Sequence, residues 1–296
     1  MTPLTWLNQR LRDNQQRRAL ALSLLLFPGT FWLILFFIVP LLIVMLYSVL
    51  ERGTYGGVDW QLTFEHYQRL ADPIYWGVLG RSLLLAANTT LLCLLIGYPM
   101  AFFIASRPPR WRNTLLLLVI IPFWTNFLVR IYAWMVILRQ QGVLNTLLES
   151  LNIIDQPLDL LFNSTAVTIG LIYGYLPFMI LPLYATIERF DFSLLDAAHD
   201  LGANDLKTLM RIVLPLTARG IVAGSLLVFI PAVGEFVTPD LLGGAKSIMM
   251  GNLVHSQFLA ARNWPFGSAL SILMMAIVLV PILIYFRIAE DKLNAS

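Results

Sequence analysis

The sequence is short of the residues on which most soluble enzymes rely. Among 296 residues there is one cysteine, Cys93, and it sits inside an apolar run. A disulfide framework is excluded, and a small core side chain is the plain reading of that thiol. The three histidines, His66, His199 and His255, fall in different segments and make no metal-ligand spacing such as H-E-x-x-H. No G-x-S-x-G occurs, so no nucleophile elbow is expected. No G-x-x-x-x-G-K-[ST] occurs either. GGAKS at 243–247 lacks the glycine immediately before lysine, so no ATP site is expected in this chain. Charge is scarce as well, at 12% of residues, and a net charge of +3 gives no support to nucleic-acid recognition.

What the chain has instead is apolar sequence. Hydrophobic residues make up 58% of it, which is not a soluble globular composition. A hydrocarbon core about 30 Å thick needs roughly 20 apolar residues per helix. Runs of that length predict helices at about 27–49, 82–105, 114–137, 165–187, 216–236 and 267–287. The expected fold class is an all-α integral membrane protein with six transmembrane helices. Residues 1–18 are polar and basic, with Arg10, Arg12, Arg17 and Arg18 against Asp13. The apolar run that follows is too long for a secretory signal and lacks a small-x-small cleavage site, so it reads as a retained first helix. Residues 19–289 then form one transmembrane unit without internal repeats, low-complexity tracts or a soluble domain. The stretches 51–81, 138–164 and 238–266 are expected to be loops, the first with interface aromatics such as Trp60, Tyr67 and Trp76.

Basic residues orient the bundle. With the N-terminus in the cytoplasm, the inner segments hold thirteen of the twenty Lys and Arg residues, including Arg107, Arg110, Arg112, Arg189, Lys207 and Arg211. The outer loops hold Arg52, Arg69, Arg81, Arg139, Lys246 and Arg262, and Arg130 falls within the third helix. The positive-inside rule therefore places both termini in the cytoplasm.

The stretch 190–215 also falls on that side. It is the most polar part of the C-terminal half, and its core reads DAAHDLGANDLKTLMRIVLP from Asp196 to Pro215. Leu194, Leu195, Ala198 and Leu201 follow helical spacing with charges on the other face. Gly202 permits a tight turn, and a second amphipathic run, Leu206, Leu209, Met210 and Val213, ends at Pro215. The expectation is a helix, a glycine turn and a helix lying on the cytoplasmic face.

These residues resemble the "EAA" loop of ABC importer permeases. That loop runs acid-Ala-Ala, three residues, Gly, nine residues, Ile-x-Leu-Pro. The match falls on Asp196, Ala197, Ala198, Gly202, Ile212, Leu214 and Pro215, with Asp196 in place of the usual Glu. The resemblance implies a coupling element that docks into a groove on an ATP-hydrolysing subunit. GYPMAFFIA (97–105), PFWTNFLVRIYAW (122–134) and the run from Pro231 through GEFVTPDLLGGAKS to Gly267 resemble the spermidine/putrescine type of these permeases. The implied architecture is a type I importer permease subunit. Its implied partners are a second permease, two ATP-binding subunits that hold ATP and Mg, and an external substrate-binding protein. Relatives carrying other small organic cations or amino-acid-like solutes keep the choice of solute open.

Polar residues inside the predicted spans are the candidates for the substrate path, because a charge in hydrocarbon is expensive. The third helix carries Trp124, Asn126 and Arg130, the fourth Tyr173 and Tyr175, and the fifth Glu235. Counted from the helix ends, Arg130 and Glu235 fall at similar depth, so an ion pair between them is geometrically allowed. A structural ion pair, an arginine snorkelling toward the outer interface and a polar wall of the path are all open readings. Seven prolines, Pro40, Pro99, Pro122, Pro177, Pro182, Pro231 and Pro281, interrupt the spans and free backbone carbonyls there. An ion-driven secondary transporter is the rival class. It would favour inverted repeats and paired intramembrane carboxylates, and only Glu235 qualifies. An intramembrane enzyme would need a catalytic cluster, and none is visible.

Overall fold

The computed structural model describes residue 22, residues 24–244 and residues 247–294. The basic segment 1–18 and Lys246 lie outside these. Helix α1 (Leu24–Tyr47) is followed by a β-hairpin, β1 (Leu50–Arg52) with β2 (Val58–Leu62), and a short helix α2 (Glu65–Arg69). The long helices α3 (Pro73–Ala105), α7 (Ser164–Ile187), α9 (Asp205–Gly234) and α11 (Trp264–Asn294) make up most of the rest. Among the described residues five helices are long and apolar enough to cross a membrane, and a sharply bent pair brings the number to six if it counts as one span.

Helices α3, α7 and α9 pack most extensively against one another. Their shared core holds Cys93, Ala101, Ile104, Met179, Ile180, Leu183 and Val228, all buried. Lipid tails are as apolar as leucine, so close backbone approach and dispersion rather than water exclusion hold such helices together. Gly224 on α9 shows this approach, since a Cβ there would stand 2.8 Å from Met179 Sδ and 3.1 Å from its carbonyl oxygen. A larger residue would push α7 and α9 apart. Tyr98 and Thr217 add a polar tie between α3 and α9, their hydroxyls 2.9 Å apart.

Several expected boundaries are corrected. The second helix begins at Pro73 rather than about 82, because the Asp72 carboxylate accepts from Ile74 N at 2.9 Å and caps it. At 33 residues it runs about 50 Å, longer than the hydrocarbon is thick. The single third helix expected at 114–137 is broken. Helix α4 (Pro109–Ile120) tightens into a 3-10 turn at Ile121–Trp124, and the chain bends by 88° before α5 (Phe127–Leu138). Pro122 supplies no N–H for an α-helical bond, and Thr125 and Asn126 are extended. The Asn126 side chain then accepts from Leu128 N at 2.9 Å and starts the new helix.

The expected loops are also more ordered than their polarity suggests. Residues 51–81 contain the hairpin, whose turn uses Gly56 and Gly57 at positive φ. Residues 138–164 contain α6 (Val143–Ser150), pinned by the buried Asn145 side chain, which bonds Arg139 O and Leu158 O and accepts from Leu158 N. Residues 238–266 do not simply lie outside. Thr238, Pro239 and Leu242 are buried as a π-helical turn (Pro239–Gly243) folds back against α7 and α5, ahead of α10 (Met250–Leu259).

Two prolines share one accommodation. The π-helical stretch Ile34–Ile38 precedes Pro40, and Leu209–Val213 precedes Pro215. In each the bond just before the proline reaches back five residues, Val39 N to Ile34 O and Leu214 N to Leu209 O. Widening the turn makes room for a ring that would otherwise press on the carbonyl four residues earlier. The helix expected to start near 216 therefore continues unbroken from Asp205.

Candidate functional site

The polar hairpin between α7 and α9 is built from backbone outward. Helix α8 (Ser193–Asp200) starts where the Asp191 carboxylate accepts from Ser193 N at 3.0 Å. Hydrogen bonds from the Ser193 side chain and backbone hold the Asp191 carboxyl below the usual carboxylate range. The helix ends in a Schellman turn. Gly202 takes φ +80, its N–H donates to His199 O at 2.8 Å, and Ala203 N donates to Ala198 O at 3.0 Å. Asn204 then caps α9, accepting from Lys207 N at 2.9 Å. Three residues, Leu201, Gly202 and Ala203, therefore separate the end of one helix from the cap of the next.

This geometry sorts the motif residues. Asp196, Ala197, Gly202 and Pro215 are exposed, whereas Ala198 is only 5% exposed and packs inward. Ile212 and Leu214 are half-buried. Leu201, Leu206 and Met210 are 89%, 61% and 61% exposed on the polar hairpin. Large apolar side chains exposed outside the spans make a surface suited to contact with another protein.

Two groupings here were not legible in sequence. His199 Nε2 lies 3.1 Å from Asp205 Oδ1, clasping α8 to the start of α9 across the glycine turn. At the neck of the hairpin, Glu188 Oε1 accepts from Tyr184 OH at 2.6 Å and from Arg112 Nη1 at 3.3 Å. Arg112 Nε also donates to Arg107 O at 2.6 Å, which ties the loop before α4 to the end of α7. An i, i+4 spacing of Tyr184 and Glu188 was the available signal for the second grouping.

Within the spans, the allowed Arg130–Glu235 pair does not form. Phe127 reaches to 4.0 Å of Gly174's Cβ position and Trp134 packs edge-on against Tyr173, so Arg130 lies level with residues 173–174. Glu235 lies level with Tyr175, whose hydroxyl donates to Oε2 at 2.6 Å. Tyr173 and Tyr175 are two residues apart on α7 and so point about 200° apart around it. Arg130 shares a cavity with Tyr173 on one side, and Glu235 meets Tyr175 on another. Glu235 Oε1 also accepts from Val237 N at 3.1 Å and Thr238 N at 3.3 Å, capping the segment that folds back. Trp124 is 73% exposed at the break between α4 and α5, and Asn126 serves as a helix cap. The structure thus brings Tyr175 and Glu235 together, and Arg130 and Tyr173 together, but does not gather all six candidates in one place.

Apolar helices packed around a few polar side chains, with a capped polar hairpin projecting between two of them, define a multi-span membrane protein. The chain belongs to the family described as "Binding-protein-dependent transport system inner membrane component", which matches residues 94–294. It is 48% identical over 263 residues to the spermidine/putrescine transport system permease protein PotB of Haemophilus influenzae, covering 89% of this chain and 92% of that one. To the protein of the same name from Escherichia coli it is 47% identical, covering 89% and 95%. Among solved structures, a bacterial ABC transporter that imports the acidic polysaccharide alginate matches with TM-score 0.72 at 17% identity, over 95% of this chain and 99% of that one. The MetNI methionine ABC transporter matches with TM-score 0.55 at 16% identity, over 75% and 98%. The fold is that of an ABC importer permease.

Proposed function

We propose that this chain is the permease subunit of an ATP-driven importer of polyamines of the spermidine/putrescine type. The observation that carries this reading is its 48% identity, across 89% of its length, to a permease named for those solutes. In this reading the chain hydrolyses nothing. It forms part of the translocation path beside a second permease, while two ATP-binding subunits, holding ATP and Mg, work from the cytoplasm. An external binding protein delivers the solute.

The hairpin 190–215 is the coupling element. Asp196, Ala197, Gly202 and Pro215 lie on its exposed surface, with Leu201, Leu206 and Met210 supplying apolar contact. Ala198, Ile212 and Leu214 support it from within. Both termini lie in the cytoplasm, as the distribution of basic residues favours. Glu235, Tyr175, Tyr173, Trp124, Asn126 and Arg130 shape the path. Glu235 and the aromatic rings offer a cation a weak and transient site, each cation–π contact contributing about 0.5–2 kcal/mol.

The test is uptake of labelled spermidine and putrescine in cells lacking their own polyamine importers. The chain is expressed with a second permease, the ATPase and the binding protein. Uptake should require this chain and should stop when it alone is omitted. An assembled complex that moves no polyamine, or moves only another organic cation, refutes the choice of solute.

A further inference from the structure

We infer that Arg130 pairs, in the assembled transporter, with a carboxylate that the second permease subunit presents to the cavity Arg130 lines. This rests on the reading above that a second permease is present. The cavity measures 670 Å³ and lies between α3, α4, α5 and α7. Met100, Phe103, Leu118, Phe123 and Tyr173 are among its walls, and Arg130 is the single charged residue lining it. Arg130 Nε is buried and has no hydrogen-bond partner among the described residues. The described residues hold one arginine–carboxylate ion pair, Arg112–Glu188, and one histidine–carboxylate contact, His199–Asp205, and Arg130 is in neither. Its guanidinium stands 5.3 Å from the Phe123 ring centre and 5.5 Å from that of Phe127. Two aromatic faces offset only part of the cost of a guanidinium in hydrocarbon, and its planar set of donors calls for a carboxylate.

The source of that carboxylate follows by elimination. Within this chain two acidic side chains lie in that part of the bundle among the described residues: Glu235 is held by Tyr175, Val237 N and Thr238 N, and Asp240 in the returning turn accepts from Asn252 Nδ2 at 3.2 Å. A lipid phosphate level with either end of α7 would be out of an arginine side chain's reach. Arg130 is level with residue 173, about 14 Å along α7 from Ser164 and about 21 Å from Ile187. A polyamine is a cation, which a guanidinium repels. The ATPase and the binding protein lie outside the apolar layer. Met100, Phe103 and Leu118 leave exposed apolar faces on the cavity's rim, the kind of surface that a neighbouring transmembrane helix covers.

The experiment uses the whole co-expressed transporter. Its wild-type form is first checked for the second permease, and a complex without one fails the functional reading and this inference with it. Arg130→Lys is then treated in membranes with dicyclohexylcarbodiimide, which reaches buried carboxylates. The carbodiimide activates the carboxylate, the lysine amine attacks the acyl carbon, and an amide forms as dicyclohexylurea leaves. The expected product joins the two permeases, and peptide mass spectrometry locates the acidic partner. The wild type and Arg130→Met should give no such product. Arg130→Met should also weaken retention of the second permease about a hundredfold, since breaking a buried pair strands one charge. An amide from the introduced lysine to this chain's own acids, or none at all in a complex that retains both permeases, overturns the inference. So does undiminished retention in Arg130→Met.

Discussion

Gly202 is the residue at which a single change should separate coupling from assembly in the bilayer. Its φ of +80 lies in the left-handed region, and no atom stands within 4 Å of where a Cβ would be. Gly202→Ala therefore meets no steric obstacle beyond its own backbone, and costs about 1–2 kcal/mol for the left-handed conformation. That is roughly a factor of 5–30 in the population of the folded hairpin. Gly202→Asn should cost less, because asparagine visits this region more readily. Gly202→Pro is different in kind. Its ring fixes φ near −65°, and it removes the N–H that donates to His199 O at 2.8 Å. The Schellman turn cannot form, and the His199–Asp205 clasp across it should open with it. Uptake should then follow the order Gly, Asn, Ala, Pro, while the amount of protein in the membrane stays level, because the turn lies outside the spans. Co-purification of the ATPase should fall in the same order. Normal uptake by Gly202→Pro with the ATPase still attached would refute the reasoning.

Other outcomes follow from the same geometry. Ala197→Trp, on the exposed face, should reduce ATPase binding and spare membrane insertion, whereas Ala198→Trp, at a buried position, should lower the yield of folded protein. Quantitative blotting of membranes beside pull-down checks both, and equal behaviour of the two variants counts against the assigned faces. Tyr175→Phe should destabilise the detergent-solubilised protein by about 1.5–3 kcal/mol, the range for a hydrogen bond to a charged group. Combined with Glu235→Gln the loss should be less than the sum, and additive melting shifts would show that the 2.6 Å bond carries no coupling. A thiol introduced at Gln156 or Ser247 should react with an impermeant reagent applied from outside, and one at Asn204 should not. Outside labelling at 204 would overturn the orientation.

The sequence alone determined the order of the apolar runs and the polar hairpin between the fourth and fifth of them. It did so because the bilayer imposes a one-dimensional constraint, in which length and polarity decide what can cross. The glycine turn was legible for the same local reason, since Gly202, Ala203 and Asn204 set their backbone chemistry within a few residues. The family resemblance was carried by spacing over that local stretch and by the runs at 97–105 and 122–134. Depth did not follow from the count, because the third span bends by 88° ahead of Arg130 and rise per residue no longer measures distance along the bundle. Direction too was decided only by the tertiary structure. Whether a side chain meets its equal in depth depends on the rotation of each helix about its own axis, which packing of α3, α7 and α9 fixes. Tyr175 thus takes Glu235 from 60 residues away, and Arg130 is turned to a different face of α7. The break at Pro122–Asn126 and the return of residues 238–243 into the bundle are decided in the same way. Each gives up regular helix locally, and the neighbouring helices and caps supply the hydrogen bonds and burial that make the irregular backbone stable inside an apolar layer.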